Sequence, residues 1–546
     1  MKPPSTLQEH SVGTLTRIIL DLFRRLEENP QDRDVRNAQD YFKTLPTMII
    51  HQLLNGSIER YIQDCKDIAL NNEGTNLVSA IQNGLHTIER KCLIPRLGTV
   101  YSLLVFSNVS HLDFTNLIRL GTLSSGAFNT FHIILAECLR RVPKLQHLNL
   151  RSPNSRTSLP SVTGDHLKIL GRNCPNLRFL DISFNSGLRS EDLLNLVPEA
   201  EVCAGCPALE ILYLYDCGFS DKIVKVLASK LTNLSALGFN EMGSVLKRLH
   251  KENLERNCDR TLKLTHINHL GSKKRKTSLS SLRCKKIIIE AIQALCPQLT
   301  NLKARVQDAD VEHLANLKYL DSVELLFNVG RPTSPALGST AFFQIQGANL
   351  TSVALICSAI SMVHIGTLGK HCPNLCSLWL RLNHFQVAKG CRDDLPEDFS
   401  SNHNYFTSLR TLYFRVGENE LALSFVPHYV LPYILRNTGS TLRVLKLALR
   451  SYIINDEYIC SLLTDCNLFH LENLLIVVPG QNNFAGVLSL TMQTVDFVLA
   501  NCPGLKTLGN VLSWDVTKSD EFMILQSQLK EDNSDLDLVC RYMVMH

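Results

Sequence analysis

The chain has 546 residues, of which 45% are hydrophobic and 20% charged, with a net charge of +5. That balance is ordinary for a folded protein and argues against an extended disordered chain. The positive excess is too small to point to nucleic acid by itself, and with no run of roughly 20 uninterrupted apolar residues no membrane span is expected.

Residues 1–13 are polar and lack the apolar centre of a signal peptide. Leu15, Ile18, Ile19, Leu22, Phe23 and Leu26 then recur at helical spacing and predict an amphipathic helix. A charged stretch runs from Glu27 to Asp34. A second helical pattern starts at Leu45-Pro46 and continues through Met48, Ile49, Leu53 and Leu54. Pro46 suits the first turn of a helix, where its missing N–H costs nothing. A third helix is expected over 58–70. Residues 1–95 therefore form an all-helical segment, with two readings. It caps the open end of whatever follows, or it also offers an apolar helix face to the groove of a second protein.

From residue 96 a phrase of Cys-Pro-x-Leu-x-x-Leu-x-Leu type returns, as at Cys174–Ile182, Cys206–Leu214 and Cys372–Leu380. Its first apolar position can be followed through Val109, Leu145, Leu177, Leu209, Leu234, Leu299, Leu320, Leu350, Leu375, Leu409, Leu442, Leu471 and Leu505, about thirteen units. Successive spacings of 32, 34 and 33 residues exceed the ~20–29 of a short repeat, which predicts a full α-helix on the outer side of each unit. The alternating end of the phrase is strand-like. Leu193, Leu194 and Val197, and then Ile223, Val224 and Leu227, carry helical spacing. Ser190-Glu191 and Ser220-Asp221 give these helices polar starts. Cys-Pro ends each helix, because Pro drives the preceding residue out of helical dihedrals. The gap from Leu234 to Leu299 holds a basic loop insertion near 265–287 and a degenerate unit around Leu262 and Leu264.

This phrase resembles the cysteine-containing class of leucine-rich repeats, common in F-box/leucine-rich-repeat proteins and their relatives. The resemblance implies an α/β solenoid over 96–515, a horseshoe with parallel strands on the concave side and helices outside, followed by a C-terminal cap or tail at 516–546. Thr14–Phe23 is similar to the elongin-binding box of leucine-rich-repeat substrate receptors, with Ile19 where that box usually carries Cys or another small residue. Leu45–Leu53 is similar to the adjoining cullin box: apolar, Pro, two free, apolar, three free, apolar. An F-box also opens with Leu-Pro and is the neighbouring possibility. Either resemblance implies a cullin-RING ubiquitin ligase subunit, docking an elongin B/C–cullin or Skp1–cullin module through Leu15, Ile19, Leu22, Leu45, Pro46, Ile49 and Leu53. Such a subunit does no chemistry; it holds a target protein near a ubiquitin-loaded enzyme and raises its effective concentration.

The residues between the repeat leucines are expected on the concave face. They include His147, Asn149 and Arg151; Asp181 and Ser183; Ile211; Ser377 and Thr411. Aromatic and Arg side chains dominate binding hot spots, which singles out Phe179, Tyr213 and Tyr215 as one cluster and Trp379, Arg381, Tyr413 and Arg415 as another. Against this, single exposed apolar groups are common on any surface.

No catalytic residue, metal site or cofactor is expected. Cys203-Ala204-Gly205-Cys206 is a lone C-x-x-C with no second pair at zinc spacing, and the repeat already uses Cys206. The 18 His are dispersed, His266, His269 and His403 among them, and the 18 Cys read as reduced thiols in an intracellular protein. Asp393, Asp394 and Glu397 read as a solvated turn. No phosphate-binding glycine loop and no nucleophile elbow occurs. Lys273, Lys274, Arg275 and Lys276, beside Thr277 and Ser278, form either a nuclear import signal or a solvated loop, so the expected location is cytoplasmic, nuclear or both. The basic residues do not interleave with aromatics, so nucleic acid is not an expected partner. Two further readings are a scaffold or signalling interaction protein with the N-terminal helices as a cap only, and a repeat-built regulator or inhibitor of an enzyme.

Overall fold

The computed structural model describes residues 108–115, 118, 125–152, 162–198, 204–269, 285–327, 337–357, 362–382, 405–416, 430–438, 441–449, 454–464, 466, 468–477, 488–511, 514–518, 520–531 and 536–539. The chain divides into two compact units between Lys276 and Thr277.

Among the described residues the unit before Lys276 contains six short strands: β1 His111–Asp113, β2 His147–Asn149, β3 Phe179–Asp181, β4 Ile211–Tyr213, β5 Ala236–Gly238 and β6 His266–His269. Each pairs in parallel with the next, so His111, His147, Phe179, Ile211, Ala236 and His266 share one row. The middle residues Leu112, Leu148, Leu180, Leu212, Leu237 and Ile267 are buried. Helices α1 Ser125–Arg141, α2 Gly164–Asn173, α3 Asp221–Lys230 and α4 Met242–Arg256 connect most of these strands. Parallel neighbours need such crossovers, because a tight turn cannot return the chain to the same end.

One connection differs from expectation. Ser190–Leu196 is a 3₁₀ helix rather than an α-helix. Its buried residues, Leu193 and Leu196, lie three apart, the period of a 3₁₀ turn. Val197, extended before Pro198, ends it. The degenerate unit near Leu264 is a complete one: Leu264 is buried, β6 follows it, and α4 covers it with Met242, Val245, Leu246 and Leu249.

The unit after Thr277 contains α5 Lys286–Leu295 and nine strands: β7 Asn301–Val306, β8 Ser322–Phe327, β9 Ser352–Cys357, β10 Ser377–Leu382, β11 Thr411–Val416, β12 Val444–Ala448, β13 Asn473–Val477, β14 Thr507–Gly509 and β15 Asp537–Val539. These too pair in parallel in chain order. The crossovers include α6 Asp308–Val311 with a 3₁₀ turn at Glu312–Asn316, α7 Leu337–Gln346, α8 Met362–His371, α9 Leu431–Thr438, α10 Asp456–Thr464, α11 Met492–Asn501 and α12 Asp520–Glu531. Strands β7 and β9 alternate regularly between half-exposed and buried, as in Asn301-Leu302-Lys303-Ala304-Arg305-Val306, and β8 does so up to Leu325. Alternation with period two puts every second side chain on the open face. Among the described residues no helix is long and apolar enough to cross a membrane.

Cysteines tie successive repeats. Cys174, Cys296 and Cys502 stand directly after α2, α5 and α11, and their N–H groups donate to Leu170, Ile292 and Val498 carbonyls. The Cys174 thiol donates to the Leu139 and Val142 carbonyls of the preceding unit at 3.8 and 3.6 Å. Asn185 does a related job inside the turn after β3. Its Nδ2 donates to the carbonyls of Leu150, Ile182 and Ser183 at 2.9, 2.8 and 3.3 Å. One repeat later Cys217 takes that place, its thiol 3.1 Å from the Ile182 carbonyl. Such bonds matter because a buried carbonyl left without a donor costs about 1–3 kcal/mol.

Candidate functional site

The open face of the first unit carries a run of stacked rings. His111 lies parallel to His147 with centroids 4.3 Å apart, and His147 stacks on Phe179 at 5.5 Å. Phe179 meets Tyr213 edge-on at 5.8 Å, and Tyr213 stacks on Tyr215 at 5.7 Å. The expected Phe179–Tyr213–Tyr215 cluster is therefore assembled, and two histidines extend it. Tyr215 fits because β5 has Gly238 beside it: a Cβ there would sit 2.2 Å from the Tyr215 hydroxyl. Burial raises the Tyr215 pKa, opposed by its hydrogen bond with Asn268. Burial also lowers the His147 pKa. Arg151 covers the Phe184 ring at 4.9 Å. Two residues expected on this face are instead buried: Asp181 and Ser183. The Asp181 carboxylate accepts the Ser183 N–H at 2.8 Å and the Ser183 hydroxyl accepts the Tyr215 N–H at 3.2 Å, so both serve the turn.

The second unit holds a hollow of about 380 Å³ over strands β7 to β11. Its cause is the sequence of side chains along one row: Lys303, Glu324, Ala354, Trp379 and Tyr413 are in register on adjacent strands. Ala354 is short, so a gap opens between Glu324 and the Trp379 ring. Lys303 Nζ lies 2.6 Å from Glu324 Oε2, which closes one side with a neutral pair. Trp379 forms the other side. Its ring packs on Tyr413 at 4.8 Å, its Nε1 donates to Ser377 Oγ at 3.0 Å, and it remains 39% exposed. Tyr413 was expected to present itself to a partner; at 4% exposure it is the support behind Trp379.

Arg381 lines the same hollow and pairs in register with Arg415. Burial, and then the Arg415 charge, lower the Arg381 pKa, partly opposed by Tyr413. The Arg381 Nε is buried without a hydrogen-bond acceptor. Below this row Asn301, Ser322, Ser352, Ser377 and Thr411 share a second row of polar groups. The Trp379–Arg381–Tyr413–Arg415 cluster is therefore brought together. Ser377 and Thr411 of the polar row were expected on this face; the Lys303–Glu324 wall, Asn301, Ser322 and Ser352 were not singled out from sequence, although their period-two position in each strand marks them as outward.

The ligase-docking candidates Leu15, Ile19, Leu22, Leu45, Pro46, Ile49 and Leu53 lie outside the described residues, as do Lys273, Lys274, Arg275 and Lys276, Cys203 and His403. In the C-x-x-C stretch, Gly205 has φ +59° and a Cβ on it would come 2.5 Å from the Pro198 nitrogen, so glycine serves a tight turn. Cys206 is buried. Burial pushes the thiols of Cys138, Cys174, Cys217, Cys296, Cys357 and Cys372 up to about 12. Among the described residues no group of three or more His, Cys, Asp or Glu is placed to hold a metal ion.

No family model matches the sequence, and no curated protein matches it. Solved structures do match, among them "Crystal structure of Rad7 and Elc1 complex in yeast", 11% identical, with 89% of this chain and 96% of that chain covered and a TM-score of 0.41. A likeness of that degree carries neither fold nor function to this chain.

Proposed function

We propose that this chain is a non-catalytic protein-interaction subunit whose open strand face holds a partner protein. The observation that supports this most is the Trp379 hollow. A large aromatic ring is held by Ser377 and Tyr413 and still offers 39% of its surface. A pre-positioned Trp beside Arg is the composition of a binding hot spot, since little side-chain entropy remains to be lost on association.

In the finer reading the chain is the substrate-recognition subunit of a cullin-RING ubiquitin ligase. Residues 14–54 dock an elongin B/C–cullin or Skp1–cullin module, the open face holds the target, and the protein works in the cytoplasm, the nucleus or both. This half rests on the motifs Thr14–Phe23 and Leu45–Leu53. It is tested by capturing elongin C, Skp1 and cullins from cell extract on wild type and on a Leu45→Asp, Pro46→Ala variant. The wild type is expected to retain one module and the variant to lose it. Equal recovery on both would leave the chain a scaffold or signalling interaction protein without a ligase role.

A further inference from the structure

We propose that the hollow over β7 to β11 recognises an acidic side chain, Asp or Glu, two residues from an apolar one in an extended segment of the partner protein. This deepens the open-face reading and rests on it.

Charge is the first argument. Among the described residues lining the hollow are two cations, Lys303 and Arg381, and one anion, Glu324. Lys303 and Glu324 neutralise each other at 2.6 Å. Arg381 is left facing the hollow, half-buried, with Arg415 in register beside it and its own Nε without an acceptor. A guanidinium can donate five hydrogen bonds and binds a carboxylate in a fork, so one carboxylate compensates both the charge and the missing bonds. Of the cations lining the hollow, Arg381 is the one that Glu324 does not neutralise, and a carboxylate in its fork supplies the acceptor that its Nε lacks.

Shape is the second argument. The Ala354 gap stands between the charged wall and the Trp379 ring. An apolar side chain of the ligand can enter it and lie against the indole while the acid two residues away reaches Arg381. In an extended peptide side chains two residues apart share one face, so the acid and the apolar residue stand at alternate positions. The serine row is the third argument. Ser322, Ser352 and Ser377 carry hydroxyls on three consecutive strands. At about 4.8 Å per strand they span about 10 Å, the length of roughly three extended residues. Peptide N–H and C=O groups crossing the strands thus find partners along the edge of the hollow.

The test uses the full-length chain, immobilised, and a phage-displayed library of random dodecapeptides. Wild type, Arg381→Gln, Arg381→Lys and Trp379→Ala are compared, each checked for folding by thermal unfolding. Selected peptides are expected to carry Asp or Glu within two residues of an aromatic or aliphatic one. Changing that acid to its amide weakens binding to the wild type by about 10- to 100-fold, the worth of a charge-assisted bond. Arg381→Gln loses a similar factor and Arg381→Lys less. If Arg381→Gln does not fold, the acid-to-amide change in the peptide carries the test unaided. A phosphoserine replacing the acid and binding more tightly overturns the carboxylate assignment. Peptides without an acid that are lost only on Trp379→Ala overturn the acidic specificity and keep the interaction face. Peptides held equally by Trp379→Ala and Arg381→Gln, or no selected peptide at all, overturn both.

Discussion

A buried thiol in this chain is a donor and a small packing group, and its chemistry follows from where it sits. Cys174 reaches back to the carbonyls at the end of the preceding helix, and Cys217 to the carbonyl at the end of the preceding strand. Burial pushes these two and Cys138, Cys296, Cys357 and Cys372 up to about 12. In the unfolded chain a thiol titrates near 8.5. Below that pH both states keep the proton and the thiols add no pH dependence. Above it the unfolded chain loses protons that the folded chain keeps, so stability falls as pH rises towards 12. At pH 10 each such thiol is expected to subtract roughly 1–2 kcal/mol. Urea unfolding in reducing buffer at pH 7 and pH 10 measures the loss, and Cys174→Ala should show a shallower decline than the wild type. An identical pH slope in the two proteins would remove the thiol from the explanation.

Between elements, the ties are specific and few. Asp456 opens α10, and its carboxylate accepts both the N–H and the hydroxyl of Thr491, at 2.9 and 2.7 Å, and the hydroxyl of Thr494. Thr491 in turn caps α11, accepting the Gln493 N–H at 3.2 Å. One carboxylate thus fixes the start of the next repeat's helix. Asp456→Ala is expected to cost about 1–2 kcal/mol, as loss of a helix cap does, and to speed amide exchange in α11 while leaving α2 unchanged. Uniform exchange changes in both helices would mean that the tie is not local. The strands themselves were legible: those found at the thirteen tracked positions start two residues after them, as β3 starts at Phe179 after Leu177. Two strands lie outside the thirteen tracked positions, the first of them where a degenerate unit was expected around Leu262 and Leu264. β6 follows Leu264, where Thr261 to Leu264 lacks the Cys-Pro signal, and β15 has only Leu536 and Leu538 to mark it. The hollow was not legible, although Trp379 and Arg381 were. It depends on Ala354 standing between Glu324 and Trp379, and those residues are neighbours only through inter-strand register. Each stands four residues after its tracked leucine, so the register could be read, but that a short side chain there leaves a hollow depends on how the Glu324 and Trp379 side chains reach across it. Tyr413 stands beside Trp379 as expected, but the indole packs on its ring and leaves it 4% exposed.

For the molecule as a whole, the proposed role separates into two tasks carried by different stretches of sequence. In that proposal docking falls to residues 14–54 and target binding to side chains between Asn301 and Tyr413. In a repeat stack each unit contacts its neighbours, so a surface change in one repeat leaves distant segments undisturbed. Trp379 and Arg381 are open-face positions flanking the fully buried Leu380, so their replacement leaves the leucine core intact. Effects of substitutions in such separate regions should therefore add without coupling. A Trp379→Ala, Arg381→Gln protein is expected to capture the ligase module as the wild type does while losing the selected peptides. Leu45→Asp, Pro46→Ala should do the reverse. The combined protein should lose both, and in a reconstituted ubiquitination reaction either pair should abolish modification of a peptide-tagged target, because tethering fails when either end is released. Loss of peptide binding on changing Leu45 and Pro46 would show that the N-terminal segment supports the fold of the face, which makes it a cap and removes the division of tasks.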